Sequence, residues 1–152
     1  MLSFFKGIIP VLLIALTFLG CEHVDANDGG ELECNIPFEA SDYPASTVSF
    51  SSDVAPIFAN NSCSSQFCHG APTPPSNYSL LDAESALGPG NEAVQLETCN
   101  ITRGDPDNSY LIDKLTGAAG IIGEQMPFGG NPVSSAELTT IRQWIIEGAP
   151  DN

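Results

Sequence analysis

The sequence predicts an all-α domain with long connecting loops, and three observations support this prediction. Apolar residues recur at three- and four-residue steps near the C-terminal end, whereas the alternation typical of a half-buried strand persists nowhere. The 152 residues include 14 glycines and 12 prolines, so long loops should separate short helices. Apolar residues make up 42% of the chain, which at this length indicates one folded domain and a tail.

Residues 1–20 have the composition of a secretory signal peptide. Lys6 is their only charged residue, and the apolar run that follows it is shorter than the roughly 20 residues that span a bilayer. Leu19-Gly20-Cys21 resembles a bacterial lipobox, whose cysteine is lipidated and becomes the first mature residue. We therefore expect Cys21 to carry a lipid anchor. The alternative is an ordinary cleaved signal with a free cysteine nearby, and both alternatives imply export.

Residues 21–47 are predicted to form an acidic, flexible tether, and residues 48–152 to form the folded domain. Cys34 and Phe38 favour packing of the tether's second half on the domain, and His23 reads as a solvated residue. The chain after residue 20 has 3 Lys+Arg and 19 Asp+Glu, a formal net charge of −16. This charge excludes general nucleic-acid binding and electrostatic docking on anionic lipid, because both need clusters of basic residues.

The helices are predicted from their caps and from the spacing of their apolar residues. Ser52 or Asp53 can cap a first short helix over 54–59, and a brief helical turn is expected over 80–87. A helix over 106–115 should begin after Asp105 as its N-cap and stop at Gly117.

The last helix has the clearest signals. Ser134 and Glu137 have the spacing of a capping box, and apolar residues follow at helical steps. Gly148 provides the stop, and Pro150 prevents any continuation.

The segment Cys63-Ser-Ser-Gln-Phe-Cys68-His69 contains two thiols and an imidazole. Covalent haem attachment usually uses Cys-x-x-Cys-His, in which both thiols bind the porphyrin edge and the histidine becomes an iron ligand. Four residues separate the cysteines here instead of two, and such a gap can bulge outward while both sulfurs still reach the porphyrin. The spacing is also compatible with a disulfide framework or with part of a zinc site.

Met126 is the only methionine after the signal peptide, and it lies in a loop rich in glycine and proline. A thioether in such a loop is suited to be the second axial ligand of a haem iron. The alternative is a loop side chain that packs on the last helix. His69 is the only histidine of the domain.

From residue 54 to residue 148 the chain resembles a small c-type cytochrome domain of the kind found in exported bacterial lipoproteins. The residues that carry the resemblance are Asp53-Val-Ala-Pro-Ile-Phe58, Cys68-His69-Gly70, Gly104-Asp-Pro-Asp-Asn-Ser-Tyr-Leu111, Met126-Pro127 with Gly129-Gly130, and Ile141-Arg-Gln-Trp-Ile-Ile-Glu-Gly148. The resemblance implies one covalent haem c held by Cys63 and Cys68, with His69 as proximal and Met126 as distal ligand.

The resemblance also implies that the first and last helices cross beside the haem, which would pair Ile57 and Phe58 with Ile141 and Trp144. The four-residue gap between the cysteines is the departure from the family's pattern.

The cysteine count extends this interpretation. If Cys21 is lipidated and Cys63 and Cys68 hold haem, Cys34 and Cys99 remain as an even pair in an oxidising compartment, where a disulfide is expected. The competing pairing joins Cys63 to Cys99 or to Cys34, and it would prevent attachment of haem at two points.

The resulting functional expectation is a lipid-anchored electron-transfer protein, not an enzyme, whose acidic surface attracts redox partner proteins with a basic docking surface. Glu22 follows Cys21 where aspartate is associated with inner-membrane retention in some bacteria, so the outer membrane is the expected location. Arg103 or Lys114 could meet a haem propionate, although a surface ion pair is the more ordinary role. The alternative function is a haemless, disulfide-stapled envelope lipoprotein with a binding or structural role.

Overall fold

The computed structural model describes Cys34 and residues 36–71, 73–88 and 90–152. These ranges contain helices and loops and no β-strand, so the all-α prediction is confirmed for them. None of the helices in these ranges is long and apolar enough to cross a membrane. The signal peptide, Cys21, His23 and most of the first half of the tether lie outside the described residues.

Five α-helices follow one another in the described chain. They are α1 (Ala55–Asn60), α2 (Ala83–Leu87), α3 (Asn91–Gln95), α4 (Tyr110–Thr116) and α5 (Ser135–Ile146). A π-helical turn, Phe50–Val54, leads directly into α1, and short 3-10 turns occur at Ala40–Asp42, Pro75–Asn77 and Pro106–Asn108.

The first helical segment begins earlier than expected, because its cap is Ser49 and not Ser52 or Asp53. The Ser49 hydroxyl accepts a hydrogen bond from the amide of Ser52 at 3.3 Å. In return the carboxylate of Asp53 accepts one from the amide of Ser49 at 2.8 Å. The two residues thus cap the segment reciprocally, which moves its start to Phe50.

The helix expected over 106–115 is divided into two pieces. Asp105 caps the 3-10 turn Pro106–Asn108 as expected, but Ser109 has extended backbone angles and α4 starts only after it. The Ser109 hydroxyl donates to the carbonyl oxygen of Asp105 at 2.8 Å, and this bond competes with helical continuation. Gly117 ends α4 in the left-handed conformation, as expected.

Helix α5 forms as predicted. The Ser134–Glu137 capping box is present, and the helix is followed by Gly148 at a φ of +86°. Helix α3 was not predicted, and among its residues only Ala93 is buried.

The core lies between the turn Phe50–Val54, α1 and α5. Trp144 is completely buried, its ring centroid is 5.3 Å from that of Phe50, and its indole N–H donates to the carbonyl of Pro150. Phe50 also packs against Phe58, at 6.5 Å between ring centroids. The four residues expected to meet where the first and last helices cross, Ile57, Phe58, Ile141 and Trp144, all belong to this one buried cluster.

Cys34 and residues 36–48, which we call the strap, contact the domain along its surface. Cys34 forms a disulfide with Cys99. The guanidinium of Arg103 donates to the carbonyl oxygen of Ile36 at 3.0 Å and to those of Gly148 and Ala149. Arg103 also lies 5.6 Å from the ring centroid of Phe38. The strap therefore joins the region around residue 100 to the end of α5.

The other end of the strap is held by Glu147, a carboxylate that is 1% exposed. It accepts hydrogen bonds from the amides of Thr47 and Val48, at 2.8 and 2.9 Å, and from the side chains of Thr47 and Gln143. Burial by itself raises the pKa of Glu147, but these hydrogen bonds outweigh it and lower the pKa to about 2. The carboxylate is therefore ionised and fully used as an acceptor at neutral pH.

Candidate functional site

A cavity of about 350 Å³ opens beside the buried core and is lined mainly by apolar side chains. The four domain residues predicted to bind haem, Cys63, Cys68, His69 and Met126, all line this cavity. They come from two loops that are more than fifty residues apart in sequence. The fold thus brings together the full set of predicted ligands.

The loop that carries the two thiols is closed by its own backbone. The amide of Cys63 donates to the carbonyl of Phe58 at 2.8 Å, which ties the loop to α1. The amide of His69 donates to the carbonyl of Cys63 at 2.9 Å, so the two residues are held together across the longer gap. Of the four residues between the cysteines, Gln66 and Phe67 are exposed, and Phe67 is 83% exposed.

Gly70 is required by the closeness of this loop to itself. A Cβ atom at Gly70 would lie 1.9 Å from the carbonyl oxygen of Ser64, which is far inside contact distance. Any other residue would have to displace backbone next to His69. The glycine after the Cys-His pair is therefore explained by packing within the loop.

His69 is oriented by a backbone carbonyl. Its Nδ1 lies 2.7 Å from the carbonyl oxygen of Tyr78. Because a carbonyl can only accept, Nδ1 carries a proton, and in the neutral ring Nε2 therefore holds the lone pair. Metal-binding histidines commonly have this arrangement, in which the second ring nitrogen fixes the tautomer and the ring direction. The amide of Leu80 also donates to the carbonyl of His69 at 3.0 Å, so the backbone is held as well.

Cys63 and Cys68 are both free thiols, and Cys34 and Cys99 are bonded to each other. The structure therefore does not contain the competing pairing of Cys63 with Cys34 or Cys99. Cys63 is buried and Cys68 is partly exposed. Burial, reinforced by the neighbouring Cys68, raises the pKa of the Cys63 thiol to about 11, so Cys63 is protonated at neutral pH.

Met126 lies in the loop between α4 and α5, at a point where the chain returns to α4. Its amide donates to the carbonyl of Lys114 at 2.8 Å, and its side chain is partly buried against the core. The packing alternative requires contact with the last helix, whereas the ligand interpretation requires a place on the cavity wall. Met126 lines the cavity and packs against the core cluster, to which α5 contributes Ile141, Trp144 and Ile145.

A polar group at the cavity wall was missed by the sequence reasoning. Lys114 is 7% exposed, and its Nζ lies 3.1 Å from Glu92 and donates to the carbonyl of Ile122 at 2.7 Å. The hydroxyl of Tyr110 lies 3.4 Å from the same carboxylate. The signal that could have located the group is the four-residue spacing of Tyr110 and Lys114 on the inner face of one helix.

Surface ion pairs were expected for Arg103 and Lys114, and of the two only Lys114 forms an ion pair with a described residue, Glu92. This pair does not lie on the open surface, because the side chain of Lys114 is 9% exposed and that of Glu92 25%, and both residues line the cavity. Arg103 binds backbone carbonyls of the strap and of the chain after α5, and it does not line the cavity. Within the described ranges, no three His, Cys, Asp or Glu side chains are grouped closely enough to hold a metal ion.

No family model matches this chain, and no curated protein or solved structure matches it either.

Proposed function

We propose that this chain is a lipid-anchored c-type cytochrome that transfers single electrons in the bacterial cell envelope. The observation that carries the proposal is the cavity, because two free thiols, a histidine with Nε2 available and a thioether all line it. These are the four groups that covalent attachment and axial ligation of one haem require.

The residues present fit a haem in further respects. The cavity wall is mainly apolar, as a porphyrin face requires. Phe67 and Phe128 also line the cavity and are 83% and 74% exposed, so large aromatic surface stands at its mouth. Exposed aromatic side chains around a cavity commonly mark a binding site, because a bound group covers them. Gly70 keeps the loop beside His69 free of a clashing Cβ.

In this proposal each residue has a defined role. Cys63 and Cys68 would hold the haem, each by adding its S–H across one vinyl group of the porphyrin to form a thioether bond. His69 would supply Nε2 as one iron ligand while the carbonyl of Tyr78 holds its ring, and Met126 would supply its sulfur as the other. The bound haem supplies the one-electron redox chemistry.

The partners follow from the charge and from the anchor. A formal net charge of −16 on the exported chain favours encounter with redox proteins that have a basic docking surface, and association should slow as salt rises. Lipidation of Cys21 would keep the protein on the envelope, with the outer membrane as the expected site. Both statements extend the sequence-based expectations, and Cys21 lies outside the described residues.

The test is the intact mass and the visible spectrum of the full chain, expressed in a bacterium that attaches haem c. We expect the mass of one haem, the loss of two hydrogens from one disulfide and a lipid on Cys21. A reduced-minus-oxidised spectrum should show a low-spin c-type haem. A mass with one disulfide and no haem would instead support the haemless envelope lipoprotein.

Two variants test the ligand assignments. His69→Ala should abolish the low-spin spectrum while Cys63 and Cys68 still attach porphyrin. Met126→Ala should keep haem attached but lose the weak sulfur-to-iron band in the far red, bind added imidazole readily and lower the potential, because a thioether favours reduced iron. An unchanged band and potential in Met126→Ala would leave Met126 as a packed loop residue only.

A further inference from the structure

The segment that ends at Met126 is fastened to α4 at both of its ends. At Ile122, the carbonyl accepts from Nζ of Lys114 at 2.7 Å and the amide donates to the hydroxyl of Tyr110 at 2.9 Å. At its other end, the amide of Met126 donates to the carbonyl of Lys114 at 2.8 Å. We call residues 122–126 the distal segment. Its course is set by hydrogen bonds to one helix.

Tyr110 and Lys114 hold both polar groups of the Ile122 residue because they lie one helical turn apart. The two residues are 4% and 7% exposed, so these hydrogen bonds are shielded from water. Glu92 on α3 joins them, at 3.1 Å from Lys114 Nζ and 3.4 Å from the Tyr110 hydroxyl. A lysine buried to this extent requires a charged partner, and Glu92 is that partner. We call these three residues the clamp.

The end of α4 provides the remaining attachment. The last carbonyls of a helix have no partner within the helix, and the distal segment supplies partners for two of them. The amide of Met126 takes the carbonyl of Lys114, and the side-chain amide of Gln125 donates to the carbonyl of Leu115 at 2.9 Å. A Cβ at Gly117 would lie 2.8 Å from the Gln125 side-chain oxygen, so the glycine leaves room for this contact.

We propose that Glu92, Lys114 and Tyr110 are positioning residues that hold Met126 on the haem iron; this inference rests on the proposed function. All three also line the cavity, so the clamp and the sulfur belong to the same wall. The bond between a thioether and iron is weak, so its occupancy depends on how firmly the protein holds the sulfur in place. The clamp supplies this constraint through Ile122, four residues before the ligand.

Two variants test the clamp in the full chain. Tyr110→Phe removes only the hydroxyl that accepts from Ile122, and Glu92→Gln removes the charge that pairs with Lys114. Glu84→Gln is the matched control, since Glu84 is an exposed glutamate on the neighbouring short helix α2. In haem-free protein, Tyr110→Phe should speed hydrogen exchange of the Ile122 amide roughly two- to tenfold, as expected for the loss of one hydrogen bond.

In haem-loaded protein, both variants should weaken the far-red sulfur-to-iron band and raise the affinity for added imidazole by a similar factor of roughly two to ten. Glu84→Gln should match the wild type in both measurements. Met126→Ala gives the upper limit of each change.

The outcomes separate this inference from the proposed function. If the wild type carries no haem, the proposed function fails and the clamp inference fails with it. If Met126→Ala loses the band while Tyr110→Phe and Glu92→Gln keep the wild-type band and imidazole affinity, the function stands and the clamp inference is overturned. A lower unfolding midpoint without a change in band or imidazole affinity would likewise reduce the clamp to a structural role.

Discussion

In one region of the domain, α5 and the turn Phe50–Val54 pack through rings 5.3 Å apart, and Trp144 and Ile145 are completely buried. In the other region, the thiol loop and the distal segment enclose a cavity, and Phe67 remains 83% exposed beside it. The chain fills the first region with its own side chains, whereas in the second it leaves apolar surface uncovered. We therefore expect stability to be concentrated around α5, and the proposed haem site lies at the loops.

Truncation of Trp144 should have the largest effect. Trp144→Ala removes a fully buried ring and the hydrogen bond to Pro150, so we expect a loss of about 3–5 kcal/mol in the free energy of unfolding. Urea denaturation followed by far-UV circular dichroism measures it. Ile146→Ala on the same helix is the control, because Ile146 is 36% exposed and should cost about 1 kcal/mol or less. Equal losses in the two variants would mean that the core does not lie where the structure has it.

Removal of the disulfide should have the next largest effect. The Cys34–Cys99 bond closes a loop over a sequence separation of 65, so replacing both cysteines by serine should cost about 2–4 kcal/mol. Thermal unfolding with and without a reducing agent measures this. The reducing agent should lower the unfolding temperature of the wild type and leave that of the double variant unchanged. A response that persists in the double variant would assign the effect to Cys63 and Cys68.

Replacement of Glu147 should have a smaller effect that depends on pH. Glu147→Gln weakens the acceptor for the Thr47 and Val48 amides, at an expected cost of about 1–3 kcal/mol at pH 7. Because the folded pKa of about 2 lies below the ordinary value of 4.5, this stabilisation is present above pH 4.5 and is lost as the pH falls towards 2. Between pH 4.5 and 2 the free energy of unfolding of Glu147→Gln should therefore fall less steeply than that of the wild type. Parallel plots of unfolding free energy against pH for the two proteins would contradict the low pKa of Glu147.

Truncation of Phe67 should have the smallest effect on the haem-free domain. Phe67→Ala should change the free energy of unfolding by less than about 0.5 kcal/mol, because the ring is exposed. The same change at Phe58, which is 1% exposed, should cost about 3–5 kcal/mol. Chemical denaturation of both variants makes the comparison. A large loss in Phe67→Ala would show that the ring packs against the domain and is not part of an open site.

Local sequence signals account for the elements that were predicted well. Helix α5 has its capping box, its helical spacing and its stop at Gly148 within one stretch, so the chain nearby determines it. Helix α3 has five residues and buries only Ala93, which leaves too little periodicity to detect. Ser109 interrupts the helix expected over 106–115, because its hydroxyl bonds to a carbonyl four residues back.

The features that were missed depend on contacts between distant residues. Packing of the strap on the domain was expected from Cys34 and Phe38, but its acceptor Glu147, a hundred residues away in the sequence, was not. The ligand set of the candidate site could be chosen from the sequence because its residue types are scarce. The hydrogen-bond acceptor for His69 could not be predicted from the sequence. It is the backbone carbonyl of Tyr78, and every residue type has a backbone carbonyl.

The contacts of Arg103 and residue 152 have a consequence for how this domain can be combined with others. Arg103 bonds to both Ile36 and Ala149, while the Ser49 hydroxyl and the Phe50 amide donate to Asn152 at 2.7 and 2.9 Å. The points where the chain enters and leaves the domain are therefore neighbours. A unit of this kind can be grafted into a surface loop of a host protein through two short connections. The two connections can be short because Arg103 and Asn152 hold the first and last parts of the domain next to each other.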